Sequence, residues 1–404
     1  MTKKEILFLL IFSLICLRAY SQDEIELVES VPVETNLNES TLSRTSDVWM
    51  KMINEARESI YIETFYFAGK NGEPLDEILI ALKNAAKRGV YISIIVDSSF
   101  YFNNKETTID ELEGIENIFI AKIPMGRIAG GVMHAKFFIV DRENLFIGSQ
   151  NMDWRALKHI HEIGVRIKNK ELAQTFLEIF YRDMEYCSGV FSNLINSDVS
   201  SSNNPVTLDT KDYGKVILYP AFSPVKFNIE GIMDSEETEL LKIITNVKDS
   251  LLIQIYSYSP KNYNDETYYD IIDKALRNAA TKGVRIKMLL PDWAIREKSE
   301  KFIKELSTVN NIEIKIITIP QHSEGFIPYA RVDHCKYFIS DNNTSWISTS
   351  NWEKSYFYNC RNATIIIDNE NISSDLSKVF NDIWFGPYVD EIDIDKEYKP
   401  VKRN

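Results

Sequence analysis

Two histidines open the same short pattern in the two halves of the chain. The pattern joins a histidine, a lysine and an aspartate, and it occurs as His134, Lys136, Asp141 and as His334, Lys336, Asp341. The copies lie 200 residues apart in a chain with only five histidines, so chance placement is a poor explanation. Phosphodiester cleavage needs a nucleophile, a proton donor for the leaving oxygen and positive charge around phosphorus. Two histidines and two lysines can supply all three without a metal or another cofactor.

Each copy continues into a polar segment whose side chains can donate hydrogen bonds to a phosphate. The segments are Gly148-Ser149-Gln150-Asn151 and Ser348-Thr349-Ser350-Asn351. We expect Asn151 and Asn351 to bind the phosphoryl oxygens, with Ser149 and Thr349 as weaker donors. The second copy replaces Gly148 with Ser348, so the two copies are similar but not identical.

The spacing within the pattern predicts which side chains share a face. His134 and Lys136 are two residues apart, so on an extended segment both point the same way. Ala135 and Cys335 then point to the opposite, buried face. Asp141 and Asp341 complete the predicted catalytic set. Their position beyond a strand indicates structural charge partners rather than proton carriers.

The elements that must position these residues are also repeated. Residues 53–66 resemble residues 244–258, and residues 81–97 resemble residues 275–292. Each stretch alternates helical periodicity with a β-branched apolar run, which predicts helix, strand, helix and strand. Such alternation indicates an α/β lobe with a mostly parallel sheet, present twice.

The ends of the chain and the join between the halves differ in composition. We predict a signal peptide at 1–21 with Gln22 as the mature start, an uncleaved anchor being the alternative. The remaining boundaries are an N-terminal extension at 22–46, a first lobe at 47–191, a Ser- and Asn-rich surface linker at 192–211, a second lobe at 212–389 and a charged, loosely attached tail at 390–404. A secretory leader implies a secreted, periplasmic or endolysosomal location. No other segment is apolar enough to span a membrane.

Charge and cysteine content limit the partners. The net charge of −13 argues against broad electrostatic capture of a polyanion, so a local basic site must hold any phosphate. Cys335 and Cys360 lie in one half and could form a disulfide. Five asparagines match the glycan acceptor pattern, namely Asn38, Asn342, Asn343, Asn362 and Asn371. No spacing typical of a metal site occurs, and the oligomeric state, a homodimer included, stays open.

Both motifs resemble the HxK(x4)D(x6)GSxN signature of the phospholipase D superfamily. Residues 148–157 (GSQNMDWRAL), 328–336 (PYARVDHCK) and 348–352 (STSNW) resemble its animal endolysosomal branch, the third and fourth paralogues, and their poxviral relatives. The similarity runs from about residue 47 to 388. The resemblance implies two similar α-β-α sandwich lobes with the active site in the cleft between them. The implied activity is phosphodiester hydrolysis, by trimming single-stranded nucleic acid from the five-prime end or by acting on phospholipids.

The resemblance also implies residue roles. His134 is expected to attack phosphorus and His334 to act as general acid and base, although the symmetry leaves the reverse open. Glu162 matches the family's carboxylate that orients a catalytic histidine. Counting 200 onward gives Asn362, so the second half departs from the pattern there.

Several further residues have both a functional and a structural interpretation. His322, Trp154 and Trp352 are candidate substrate contacts, and packing in the core is the alternative for the tryptophans. His159 and His161 precede Glu162 in sequence. We expect them at the surface or behind the residues that contact the substrate. Three functions stay open: a five-prime exonuclease on single-stranded nucleic acid, a phospholipase D or phosphatidyltransferase, and a non-catalytic binding protein that keeps the fold.

Overall fold

A computed structural model describes residues 23–103, 108–191, 199–228, 232–262, 267–296 and 299–404. The predicted signal peptide and the predicted start at Gln22 lie outside the described residues. Within those ranges, no helix combines the length and the apolar character that crossing a bilayer requires.

The described part of the first half contains ten strands and six helices. The strands are β1 (Glu24–Ser30), β2 (Ser43–Arg44), β3 (Ser59–Thr64), β4 (Phe67–Ala68), β5 (Tyr91–Asp97), β6 (Ile118–Ile123), β7 (Phe137–Val140), β8 (Asn144–Gly148), β9 (Met152–Asp153) and β10 (Ile160–Lys168). The helices among the described residues are α1 (Thr45–Glu55), α2 (Pro74–Lys87), α3 (Ser98–Asn103), α4 (Met125–Ile128), α5 (Trp154–Lys158) and α6 (Lys170–Ser188), with a 3-10 turn at Ile109–Leu112.

The second half repeats much of this order. Its strands are β11 (Val206–Thr210), β12 (Gly214–Ser223), β13 (Ser250–Ile255), β14 (Arg285–Pro291), β15 (Ile312–Ile317), β16 (Val332–Asp333), β17 (Lys336–Ser340), β18 (Thr344–Ser348), β19 (Asn362–Asp368) and β20 (Val389–Glu391). Its described helices are α7 (Glu236–Asn246), α8 (Ile271–Thr281), α9 (Glu300–Ser307), α10 (Lys354–Tyr358) and α11 (Glu370–Trp384), with 3-10 turns at Val225–Phe227 and Asp292–Ala294.

The two main sheets have matching strand orders. One runs β2-β1-β10-β8-β7-β3-β5-β6, and the other runs β11-β12-β19-β18-β17-β13-β14-β15-β20. The crossovers β3-β5-β6 and β13-β14-β15 are parallel, whereas β7, β8 and β10 and their counterparts β17, β18 and β19 pair antiparallel. The predicted mostly parallel sheet is therefore wrong in this detail. Short hairpins after each histidine motif return the chain beside its neighbour, which makes both sheets mixed.

Local sequence accounts for the repeated elements. The helix α2 begins with Pro74 and buries one face that includes Ile78 and Leu82. The chain after it turns at Gly89, whose φ of 93° favours glycine. At the start of α6 the side chain of Asn169 accepts the Leu172 N–H, and Asn369 does the same for Ile372 at the start of α11.

The core has three apolar layers. One lies between sheet and outer helices in each half. The third contains buried residues of both halves, with Phe137 and Phe176 from the first and Tyr337 and Phe380 from the second. The inner helices α6 and α11 thus pack between the sheets, and the expected α-β-α organisation of each half is confirmed.

Three segments that composition set apart from the lobes contain strands of the two sheets. The N-terminal extension contains β1, which pairs with β10 in the interior of the first sheet. The part of the linker from 199 to 211 contains β11, the edge strand of the second sheet, whereas 192–198 lies outside the described residues. The tail is also attached, because β20 pairs with β15 and later residues contact the second half. Polar composition does not exclude edge strands, whose unpaired side faces water.

Candidate active site

Backbone pairing between the halves brings the two motifs to one cleft. The His134 N–H donates to the Arg361 carbonyl at 2.8 Å, and the His334 N–H donates to the His161 carbonyl at 2.9 Å. His161 is the second residue of β10, and Arg361 directly precedes the equivalent strand β19. Each motif histidine is therefore held by the opposite half. Ala135 and Cys335 are fully buried on the other face, as the HxK spacing predicts.

The side chains of the two histidines also have partners in the opposite half. His334 Nδ1 lies 2.7 Å from Glu162 Oε1, and His134 Nδ1 lies 2.9 Å from Asn362 Oδ1. The 200-residue equivalence of Glu162 and Asn362 is thus a spatial equivalence. The two catalytic candidates differ because one contacts a carboxylate and the other a neutral amide.

The orientation of the Asn362 amide fixes the expected tautomer of His134. The Asn362 Nδ2 donates to the Tyr356 carbonyl at 2.9 Å, and the Thr349 hydroxyl donates to Asn362 Oδ1 at 3.0 Å. Asn362 Oδ1 is therefore an acceptor, and His134 Nδ1 must carry the proton. This leaves the His134 Nε2 lone pair available for attack.

The two lysines are buried and make equivalent contacts. Lys136 Nζ donates to the His134 carbonyl at 2.7 Å, and Lys336 Nζ donates to the His334 carbonyl at 2.8 Å. Burial lowers the pKa of Lys336 to about 7. Burial, followed by the charge of Lys336, lowers the pKa of Lys136 well below its ordinary value. A bound phosphate would favour the charged form of both lysines.

The same environment disfavours charge on the histidines. Burial and then the ammonium groups of Lys136 and Lys336 lower the pKa of His134 well below its ordinary value. Burial and the same two lysines lower the pKa of His334, whereas burial raises the pKa of Glu162. One proton lies between His334 and Glu162 in their 2.7 Å contact. A phosphate in the cleft would offset the lysine charges and allow His334 to bind a second proton.

The polar segments after the motifs lie in the interior near the histidines. Asn151 and Asn351 are buried, and the side-chain carbonyl oxygen of each has no hydrogen-bond partner among the described residues. The Ser149 hydroxyl lies 3.3 Å from the Ile163 carbonyl, whereas Thr349 contacts Asn362. These placements put the predicted phosphate donors beside the strands that hold Glu162 and Asn362.

The Gly148 to Ser348 difference has a packing reason. A Cβ at Gly148 would lie 2.7 Å from the Gly164 Cα, so the first half needs glycine there. In the second half the Ser348 hydroxyl donates to buried Glu236 at 2.6 Å. Ser350, Thr364 and Ser223 also donate to this carboxylate.

The two motif aspartates lie away from the histidines and bind backbone. Asp141 accepts the N–H groups of Arg57, Glu58 and Ser59, where β3 begins. Asp341 accepts those of Lys248, Asp249 and Ser250, where β13 begins. These contacts support a structural role. They differ from the predicted charge pairing, because the partners are backbone amides.

Aromatic residues that the sequence did not single out contact the histidines. The Phe65 and Tyr356 ring centroids lie 5.7 and 4.9 Å from that of His134, and the Tyr256 centroid lies 4.6 Å from that of His334. Phe65 and Tyr256 directly follow the equivalent strands β3 and β13. Their equivalent positions in the sequence repeat could have identified them as candidates.

The candidate substrate contacts are dispersed. Trp352 is buried in the second-half core against Phe338, so packing accounts for it. Trp154 and His322 line a separate cavity of about 570 Å³ together with His159. Trp154 lies under Lys70 Nζ at 4.5 Å, and His322 Nε2 lies 3.3 Å from Glu34 Oε1. Among the described residues, neither has a ring contact with a catalytic histidine.

His161 is not a surface residue. It is fully buried, with Nδ1 2.6 Å from Asp333 Oδ1 and Nε2 2.9 Å from Glu29 Oε1, and Cys335 Sγ lies 3.3 Å from Nδ1. His161, Asp333 and Cys335 have the ligand types of a metal site. The short His161–Asp333 distance is that of a hydrogen bond, and a shared metal would require the two groups to separate.

The cysteine and glycan expectations also change. Cys187, Cys335 and Cys360 are free thiols in the described part of the chain, so the Cys335–Cys360 disulfide is not formed. Asn362 is fully buried against His134 and cannot accept a glycan in the folded protein.

Comparison with known proteins agrees with this geometry. The family model described as cardiolipin synthase, phospholipase D-like domain matches residues 49–184 and 240–384. The chain is 28% identical to phospholipase D Z of Dictyostelium discoideum, over 90% of each chain. It is 28% identical to the 5'-3' exonuclease PLD3 of Rattus norvegicus, over 93% of this chain and 82% of that protein.

A viral enzyme is similar in sequence, and a solved structure is similar in fold. The virion nicking-joining enzyme of vaccinia virus is 27% identical over 93% of this chain and 91% of its own length. The phosphatidylserine synthase of Haemophilus influenzae superposes with a TM-score of 0.62 at 12% identity, covering 86% and 85% of the two chains. With the family model matching both halves, the chain belongs to the phospholipase D superfamily and is a phosphodiesterase of that class.

Proposed function

We propose that this chain is a metal-independent five-prime exonuclease on single-stranded nucleic acid that acts through a phosphohistidine. The observation that carries the mechanism is the unequal pairing of the histidines. His134 contacts a neutral amide and keeps a free lone pair, whereas His334 contacts the Glu162 carboxylate, which stabilises a protonated ring.

The proposed reaction has two displacements at phosphorus. His134 Nε2 attacks, the phosphorus–oxygen bond to the leaving alcohol breaks, and His334 gives its proton to that oxygen. His334 then removes a proton from water, which attacks phosphorus and releases His134. Lys136 and Lys336 stabilise the charge on the non-bridging oxygens, with the side-chain amides of Asn151 and Asn351 as further donors. The hydroxyls of Ser149 and Thr349, which were also expected to donate, instead donate to the Ile163 carbonyl and to Asn362 Oδ1.

Two observations favour nucleic acid as the substrate. The relatives include a protein named as a 5'-3' exonuclease, and the similarity covers 82% of that protein. Aromatic rings also border His134, and beside them Tyr66 and Phe100 stack with centroids 4.2 Å apart. The net charge of −13 suits an enzyme that holds a few terminal nucleotides rather than a long track.

Phospholipid cleavage or transfer is the second candidate. It uses the same chemistry, and a Dictyostelium relative is named a phospholipase D. A non-catalytic role is disfavoured because both histidines and both lysines are present and gathered. A leader at 1–21 would place the reaction in the secretory pathway or outside the cell.

The test offers purified protein two substrates in EDTA at pH 5 and pH 7. One is end-labelled single-stranded DNA with a free five-prime hydroxyl, and the other is phosphatidylcholine vesicles with glycerol. We expect stepwise loss of nucleotides from the DNA. His134→Asn and His334→Asn should each abolish this activity, whereas His322→Ala should only reduce it. Release of choline or formation of phosphatidylglycerol with intact DNA would instead assign the protein to lipids. Full turnover by either motif variant would contradict the two-histidine mechanism.

A further inference from the structure

The segment 399–404 packs on an apolar cluster that also contacts Tyr256, a neighbour of His334. Val401 packs against the cluster of Ile160, Trp293 and Val332, which also contacts Tyr256. The Tyr256 ring in turn lies edge-on to His334, with the centroids 4.6 Å apart, and 5.0 Å from Lys336 Nζ. The apolar cluster and Tyr256 therefore connect this segment to His334.

Arg403 is fixed in place within this segment by neutral groups. Its guanidinium carbon lies 5.0 Å from the Trp293 ring centroid, and Nη2 donates to the Trp293 carbonyl. The Arg403 carbonyl accepts the Tyr329 N–H at 2.7 Å. These contacts hold the side chain against the second half without neutralising its charge.

The charge of Arg403 lacks a close counter-ion. In the described ranges no carboxylate lies within ion-pair distance of it, whereas neighbouring Arg296 pairs with Glu353 at 3.2 Å. Burial raises the pKa of Asp292 to about 6 and also raises the pKa of Tyr256, and the charge of Arg403 partly offsets both shifts. A half-buried arginine fixed on a tryptophan and free of an ion pair is suited to bind an anion.

We propose that Arg403 binds a phosphate of the departing strand, on the leaving-group side of the cleft. The proposal rests on the exonuclease function above. His334 protonates the leaving oxygen in that mechanism, so the departing strand must continue past His334 and Tyr256. On this path the next phosphodiester of the strand would lie at Arg403, whose guanidinium packs on Trp293 of the cluster that Tyr256 contacts. A substrate with one phosphate cannot make this contact.

The test compares a ten-nucleotide single strand with bis(p-nitrophenyl) phosphate, which has a single phosphate. Arg403→Ala should lower kcat/KM for the oligonucleotide by about tenfold, mainly through KM, because one charge-assisted contact is lost. Its effect on the small diester should be less than about twofold. The slope of log kcat/KM against log salt should fall by about 0.7 for the oligonucleotide. Arg403→Lys should recover most of the loss.

The matched control is Lys399→Ala, which removes an exposed cation from the same segment and should change neither substrate. Equal losses on both substrates would overturn the proposal, because they would indicate a general structural effect. Unchanged oligonucleotide kinetics in Arg403→Ala would overturn it as well. Failure of the wild type on the oligonucleotide, with turnover of the small diester, would instead contradict the exonuclease function on which the proposal depends.

Discussion

At the scale of residues, the crossed pairing of the histidines makes two nearly symmetric copies chemically different. Each histidine depends on a partner that is distant in sequence and belongs to the other half. The Glu162 carboxylate favours a proton on His334, and the Asn362 amide leaves His134 neutral. The geometry supports the assignment of nucleophile and acid that the family resemblance implies.

Changing the charge of the side chain that contacts each histidine should shift opposite limbs of the pH–rate profile. Glu162→Gln removes the charge that stabilises protonated His334, so kcat should fall about a hundredfold and the basic limb should move to lower pH. Asn362→Asp adds a carboxylate that raises the pKa of His134, so the acidic limb of kcat/KM should move to higher pH. Profiles from pH 4 to 9 test both. The same limb moving in both variants would contradict the division of roles.

Buried Lys336 should cost stability at neutral pH. Its pKa in the folded protein is about 7, against about 10.4 in an unfolded chain. Between these values the unfolded state binds more protons, so this group lowers the free energy of unfolding progressively as the pH falls from 10 to 7. Lys336→Met should therefore be more stable than wild type at pH 7, by on the order of 2–4 kcal/mol, with the gain shrinking towards pH 10.

Urea unfolding of both proteins at pH 7, 8.5 and 10 measures this difference. Lys170→Met, which alters a largely exposed lysine on α6, is the control and should show no such trend. A gain that does not depend on pH would mean that packing rather than protonation explains the effect. The Lys336→Met enzyme should also lose activity, because the phosphate loses a cation.

At the scale of elements, each motif aspartate joins the end of the strand after its histidine to the start of the neighbouring antiparallel strand. Asp141 and Asp341 have φ angles of 51° and 52°, in the left-handed region where aspartate and asparagine are the better-tolerated residues. From that position each carboxylate reaches three consecutive N–H groups of the adjacent strand's entry. The motif thus joins the two strands as well as carrying the proposed reactive groups.

Asp141→Asn and Asp341→Asn should each lower the free energy of unfolding by about 1–2 kcal/mol. Asparagine keeps the backbone conformation but loses the charge and one acceptor oxygen. The kcat of the folded fraction should stay within about twofold of wild type, against the hundredfold loss expected of a proton carrier. Urea unfolding and kcat on the same samples decide the matter. Asp209→Asn, at an exposed position of β11, should alter neither.

At the scale of the whole molecule, the halves are joined by a shared apolar layer and by a buried ion pair. Arg361 from the second half contacts both oxygens of Asp183 from the first at 2.6 Å, and it donates to the Ser223 carbonyl at 3.1 Å. Burial raises the pKa of Asp183, and burial and then the Asp183 charge raise that of Glu63. Arg361 precedes Asn362, so this pair also fixes the partner of His134.

Arg361→Leu should cost about 3–5 kcal/mol at pH 8, because it leaves buried carboxylates without a cation. The pKa values of Asp183 and Glu63 are raised in the folded protein, so the folded variant binds protons at a higher pH than the unfolded chain does. The loss in the free energy of unfolding should therefore be smaller at pH 5. The double variant Arg361→Leu, Asp183→Leu should be more stable than the single one. A deficit independent of pH, together with additive costs in the double variant, would show that the pair does not couple the halves.

The sequence by itself determined the chemistry and the repeat. The HxK spacing places His134 and Lys136 on one face because side chains alternate along an extended segment, and the periodicity of residues 81–97 determines a helix and a strand. These are local consequences of backbone geometry, so they can be read without a fold. The superfamily followed from the same motifs.

Only the tertiary structure decided which groups meet. Glu162 contacts the histidine of the other half, Tyr256 and Phe65 contact the two histidines, and Arg403 packs on Trp293 from the charged tail. Contacts between residues so far apart in sequence depend on how the sheets face each other, which no local pattern encodes. The strands β1 and β11 were not predicted, although Ile25 and Leu27 in β1 and Val206 and Leu208 in β11 alternate with polar residues and are buried. That alternation is short and lies in segments of polar overall composition, and the pairing partners of both strands are distant in sequence.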